Sequence, residues 1–255
     1  MRILLNFFLF MFLALPSAVF CQTFAQLALG GGYEATLFVS NKTDYSWAGR
    51  IYTKQGNDQR WATAWSINDI DCTGYSYGFI ELGPKETGKY IIRGDSTTRG
   101  GYLELVGDGD ASTLDVAVSY FYSYRTRGIL TTLTGSGISK VSDQLYFPAE
   151  RSIADGINTG FAIAPFINTG PFQVKMTAYD YEGNRIASKT WQFDGYRAGF
   201  LNDASLGFGN ALPAEFIGHV IVEADDWVAL EVLRMENTPT GFLLTSTPAD
   251  DLVPF

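Results

Sequence analysis

Two tight-turn signals set inside runs of alternating hydrophobicity constrain this chain more than anything else in it. Residues 172–193 read FQVKMTAYDYEGNRIASKTWQF, with apolar-rich runs on either side of Asp180–Asn184. Gly and Asn accept the positive φ that a short reversal needs, so the segment reads as a β-hairpin. Residues 48–67, AGRIYTKQGNDQRWATAWSI, repeat the design around Gln55–Asp58. Superposed on their glycines, the two segments match Tyr52 to Tyr179, Gly56 to Gly183 and Asn57 to Asn184.

The repeat extends beyond the hairpin. GYLELV at 101–106, an acidic turn and LDVAV at 114–118 match GHVIVE at 218–223, an acidic turn and WVALEV at 227–232. The entry runs ATLFVSN at 35–41 and TGFAIAP at 159–165 correspond as well. Short runs rich in Val, Ile, Tyr, Phe and Thr, punctuated by Gly, Asn and Asp, fill the rest, without helical periodicity. The expected fold is all-β: two tandem related antiparallel β-sandwich domains, Ig-like or jelly-roll-like, covering 22–145 and 146–255. The join falls in QLYFPAERSIADGI, 144–157, where Pro148 and polar residues interrupt the pattern. A single large sandwich fits the same pattern. An outer-membrane barrel shares the aromatic-rich alternation and a C-terminal Phe, but Pro254 and Asp250–Asp251 spoil a closing strand.

Residues 1–21, MRILLNFFLFMFLALPSAVFC, place one Arg before a long apolar run, then Pro16 and small residues. This is the order of a secretory signal peptide, with a membrane anchor as the alternative reading. A cut after Cys21 leaves Cys72 as the only cysteine, so no disulfide framework is available and packing must supply stability. Hydrophobic residues at 46% and aromatics at 15% are enough for large cores. The formal charge of −9 argues against nucleic acid and anionic lipid, which reward a Lys and Arg surplus. Neutral glycans, surface proteins or cations are the partners that remain. The expected location is secreted, periplasmic or at the cell surface, not integral to a membrane.

FAQLA at 24–28, GGGYEAT at 30–36, YFPAER at 146–151, NTGFAIA at 158–164 and YEGNRIAS at 181–188 carry a resemblance. They are similar to a group of uncharacterised secreted proteins of soil and environmental bacteria. In that group a GGGYTT-type entry opens a first β-domain and an NTG-type entry a second. The resemblance implies export and a β-fold, and brings no catalytic residues with it. Pro165 departs from the Asn that often follows the group's second entry strand.

Chemical motifs are sparse. Gly74-Tyr75-Ser76-Tyr77-Gly78 has the spacing of a nucleophile elbow, and His219 is the only histidine. The strand-turn-helix setting of that motif is missing, so a glycine-flanked turn is the expected structure. One His and two Cys cannot supply the usual zinc ligand set. Asp108 and Asp110 alternate as calcium ligands do at the start of an EF loop, without its sixth-position Gly or closing Glu. Glu81, Glu104, Glu223 and Glu231 lie on strands, and nothing in their spacing selects an acid pair for glycoside hydrolysis. Trp61 and Trp65 share a face about 13 Å apart at strand spacing; exposed they would stack on sugars, buried they would be core. The stripe Tyr120, Tyr122, Tyr124 poses the same choice, with three hydroxyls needing partners. Asn41-Lys42-Thr43 is a glycosylation sequon, relevant only to a eukaryotic host. The expected function is an exported, non-catalytic binding or cell-envelope interaction protein without cofactor. A hydrolase of extracellular polysaccharide or ester substrates and a purely structural surface module are the alternatives.

Overall fold

The structure, a computed structural model, describes residues 21–55, 59–60, 65–73, 75, 77–166, 171–239, 241–247 and 249–251. The signal-peptide segment before Cys21, Trp61, Ser76 and the C-terminal Phe255 lie outside the described residues. The chain is nearly all β, and its only described helical turns are 3-10, at Thr113–Asp115 and Gly209–Ala211. No described helix is long and apolar enough to cross a membrane.

The first half contains β1 (Cys21–Leu29), β2 (Tyr33–Asn41), β3 (Trp47–Gln55), β4 (Gln59–Arg60), β5 (Trp65–Ile67) and β6 (Ile70–Asp71). It continues with β7 (Tyr77–Leu82), β8 (Thr87–Gly94), β9 (Arg99–Gly107), β10 (Val116–Thr126) and β11 (Ile129–Ser136). They form two antiparallel sheets, β1-β9-β3-β4 with β7 also on β3, and β11-β10-β2-β8-β5-β6. Period-two alternation decides which side faces in. In β7, Ile80 and Leu82 are buried while Tyr77, Phe79 and Glu81 face out. Phe24, Ile51, Leu103 and Leu105 from one sheet meet Leu37, Val39, Ile92 and Tyr120 from the other in a single core.

The second half contains β12 (Lys140–Ser152), β13 (Ile157–Pro165), β14 (Phe172–Asp180), β15 (Arg185–Phe193) and β16 (Arg197–Phe200). β17 (Glu215–Thr238), β18 (Gly241–Thr247) and β19 (Asp250–Asp251) complete it. β17 serves two layers. Its first stretch pairs with β14, its second with β13 and β18. Between them β12 loses register, Ser142 facing Val228 and Gln144 facing Glu223. The extra residues on β17 make a bulge, which bends a strand. Val220 and Val222 before the bend and Val228, Leu230 and Val232 after it therefore reach one core.

The halves share a pairing scheme. β1 on β9, β9 on β3, and β3 on β4 and β7 correspond to β12 on β17, β17 on β14, and β14 on β15. β8 on β2, β2 on β10 and β10 on β11 correspond to β16 on β13, β13 on β17, and β17 on β18. The cores mark the register. Phe24 faces Leu103 as Phe147 faces Val220, and Thr53 faces Leu103 as Ala178 faces Val220. The expected division between 145 and 146 needs correction, because it falls inside β12, all of which belongs to the second half. Pro148 misled that reading. It pairs with His219 on one side and has no described strand on the other, an edge position at which a missing N–H costs nothing.

The halves meet through the outer face of β1 and β9. Ala25 and Tyr102 lie against Ala162, Ala164, Ala229 and Tyr196, all buried. Small residues let the two sheets approach closely, and Tyr102 stacks on Tyr196 with ring centroids 6.4 Å apart. Ser139 fastens the contact, accepting from the Ala25 N–H at 2.7 Å and donating to Glu231 Oε2 at 3.2 Å.

Candidate binding cleft between the two halves

Beside this contact the halves diverge around a cleft of about 600 Å³. A bulge in β1 between Phe24 and Leu27 sets its floor. Gln26 sits in the bulge and is held from both sides. Its backbone carbonyl accepts from the Tyr120 hydroxyl at 2.9 Å, and its side-chain Oε1 accepts from the Tyr196 hydroxyl at 3.1 Å. One residue thus ties the aromatic groups of both halves together.

Tyr33 and Tyr122 supply wall from the first half, Phe200, Met235 and Phe242 from the second. Tyr124 backs the wall, 4.5 Å from the Tyr33 ring and 5.9 Å from Phe242, on which it stacks. Two cations complete the lining. Arg99 lies 3.7 Å from Asp95, and Arg197 donates to Asp194 and to the Tyr196 carbonyl. No carboxylate stands among the described lining residues. The Tyr122 hydroxyl and Arg99 Nε are buried in the wall without a hydrogen-bond partner. Such groups forfeit their hydration and cost roughly 1–3 kcal/mol each until something pairs with them.

Burial holds the phenols of Tyr120 and Tyr122 well above the ordinary tyrosine range, with Glu231 adding to both. Burial also raises Tyr33, beside Tyr124. The wall's phenols therefore stay neutral at physiological pH, and its two arginines are paired with Asp95 and Asp194 outside the lining. Such a surface can stack on a ring and hydrogen-bond hydroxyls or a carboxylate.

The residues singled out from the sequence lie elsewhere. Trp65 is 2% exposed in the first core, with Nε1 donating to the Tyr75 carbonyl at 3.3 Å. A ring so covered has no face for a sugar, which corrects its reading as a binding residue; its expected companion Trp61 falls outside the described residues. Asp108 is engaged by Arg50 at 2.7 Å, and Asp110 is exposed on the turn. A guanidinium already neutralises the first calcium candidate, and no described group of three or more His, Cys, Asp or Glu is placed to hold a metal. His219 stacks on Tyr179 at 5.2 Å and meets Tyr146 edge-on at 5.7 Å. Glu104 pairs with Lys54 and Glu223 with Lys175.

Within the tyrosine stripe, Tyr120 and Tyr122 are core, as the period-two reading allows, and Tyr122 also lines the cleft. Arg99, Tyr196 and Arg197 lie in no motif, and Gln26 lies in FAQLA, which marks no site. The one local sign is Gly100, where a Cβ would stand 3.3 Å from the Tyr196 ring. No family model matches the chain, and no curated protein matches it.

Proposed function

We propose that the chain is an exported, non-catalytic binding protein whose cleft between the halves takes a glycan. Sugar rings would stack on the Tyr33 and Phe242 side, with hydroxyl or carboxylate groups turned to Arg99 and Arg197. The observation that carries this reading is the lining itself: aromatic, with two arginines as directed donors and no described carboxylate among its residues. Stacking on a π-face with a few directed donors is how a polar ring is held without deep burial. Export rests on the signal-peptide pattern of residues 1–21. Cleavage after Cys21 leaves Gln22 opposite Leu105 as the first pair of β1.

A glycan array on the purified protein tests the reading, followed by calorimetry on whatever binds. Phe242→Ala and Arg99→Gln should each weaken binding about tenfold, equivalent to about 1.4 kcal/mol. An array with no hits, or variants that bind as the parent does, would overturn it.

A further inference from the structure

The shared pairing scheme sets Tyr102 and His219 in the same place. Each precedes the core residue at the centre of a three-stranded face, Leu103 in β1-β9-β3 and Val220 in β12-β17-β14. Each points out of its sandwich. In the first half that face is covered, with Ala25 and Tyr102 buried beneath the second half. In the second half no described element covers the same face. Ile217 is 65% exposed and Tyr146 38%, around the Tyr146, His219 and Tyr179 rings. Aromatic and branched side chains gathered on an uncovered sheet mark a contact surface.

The covering surface also has an open counterpart. Ala162, Ala164 and Ala229 belong to β13 and the second stretch of β17, where Ile163 faces Leu230. In the first half Val39 faces Val118 in the same arrangement, so β2 and β10 present the matching outer face. There Phe38 stands in the place of Ala162, 36% exposed, edge-on to Phe121 at 6.0 Å and with Lys89 Nζ 5.8 Å from its ring, and Ala117 is exposed. The molecule thus ends in one open surface of each kind, while the internal contact joins the other two.

We infer that a second copy of this chain docks its β2-β10 face on the β12-β17-β14 face, in the place that the internal contact takes between the halves but with the Phe38 ring where that contact has Ala162. The two surfaces differ, so the contact is head-to-tail and extends into a linear assembly. Within one molecule the tether gives the halves a high effective concentration; between molecules that help is lost, so assembly depends on concentration.

Sedimentation velocity on the purified protein over an about 100-fold concentration range reads this directly. The weight-average mass should climb past that of a dimer without reaching a plateau. Ile217→Glu and Phe38→Glu, both at exposed positions, should each hold the protein at monomer mass, with circular dichroism and melting equal to the parent's at concentrations where the parent is itself monomeric. Mixing the two variants should restore dimers and nothing larger, because each retains the surface the other has lost. A parent that stays monomeric throughout, self-association untouched by either substitution, or a mixture that stays monomeric overturns the inference. So does a monomer that loses glycan binding through Ile217→Glu, which would assign the open face to sugar instead.

Discussion

The two halves pair their strands alike and fill their cores differently. The first core holds Trp47, Trp65, Tyr120 and Tyr122; the second is built from Phe, Val, Leu, Ile, Ala and Met. Trp47 opens β3 facing Leu82, and Phe172 opens β14 facing Phe193. Trp47 must place its indole N–H, which donates to the Ser112 carbonyl at 2.9 Å, whereas Phe172 needs only a ring neighbour and finds Phe193 at 5.9 Å. The comparison teaches that this scheme demands buried volume at a position and leaves its chemistry free. The Tyr122 hydroxyl admitted to the first core then lies unpaired where that core meets the cleft.

The strongest test strikes the matched pair. Trp47→Ala and Phe172→Ala should each cost about 4 kcal/mol by loss of transfer energy and creation of a cavity. Because the buried contact through Ala25, Tyr102 and Ala229 joins the halves, urea unfolding should show one transition, moved by either variant. A transition that splits, with each substitution moving only its own part, would break the halves into independent units.

Next in size is a matched pair of outward positions. Ala229 and Ala117 occupy equivalent sites, since Leu230 faces Ile163 as Val118 faces Val39. Ala229 is covered and Ala117 exposed. Ala229→Asp should cost about 3 kcal/mol by burying an unpaired carboxylate. Ala117→Asp should stay within about 0.5 kcal/mol in dilute protein, the range of an exposed substitution. Equal costs measured by denaturant melts would mean that the covering of one face is not what separates the two sites.

A smaller effect follows from the phenols. Tyr120 and Tyr122 hold their protons in the folded state well above the ordinary value of about 10, at which they ionise once unfolded. Above that pH the unfolded chain binds fewer protons than the folded one, so stability falls as pH rises. The second core buries no tyrosine and adds nothing to this slope. Tyr122→Phe should flatten the decline between pH 10 and higher values. At neutral pH it should also raise stability by about 1 kcal/mol, since it removes an unpaired hydroxyl. Urea midpoints across the alkaline range measure both.

How far the sequence could be read divides along similar lines. Strand type, hairpins and alternation were legible because each is local and repeats every second residue. The glycine-anchored match of Tyr52 with Tyr179 lies two residues from the register the cores adopt, where Thr53 corresponds to Ala178. An even slip preserves which residues face in, so the alternation survived an imprecise alignment. Trp65 shows the limit of the same rule, since period two fixes a shared face without saying which face is covered. The cleft was hidden for a different reason. Gln26, Arg99, Tyr122, Arg197 and Phe242 are far apart in the chain and meet only because two sandwiches pack at one angle. No spacing along the chain records such a contact.

The smallest expected effect compares two turns. In β10-β11, Arg127 and Gly128 both have positive φ, 52° and 81°, the backbone form of a tight hairpin reversal. In β14-β15 a carboxylate organises the turn: Asp180 Oδ1 accepts from the Glu182 N–H at 3.0 Å and the Asn184 N–H at 2.8 Å, beside Gly183 at φ 87°. The Asn184 side chain, then the backbone donors, hold the Asp180 carboxyl below its ordinary range. A depressed folded pKa means that the stabilisation is present above the unfolded value of about 3.9 and disappears as pH falls through the folded one. Acid should therefore loosen the Asp180 turn and leave the Arg127 turn alone. Amide exchange at Gly183 and Asn184 should lose protection below about pH 4, relative to its intrinsic rate, while exchange at Gly128 does not. Asp180→Asn, which cannot titrate, should remove that acid response. If both turns loosened together, the response would come from the net charge of the whole molecule, and the contrast between a carboxylate-built turn and a backbone-built one would fail.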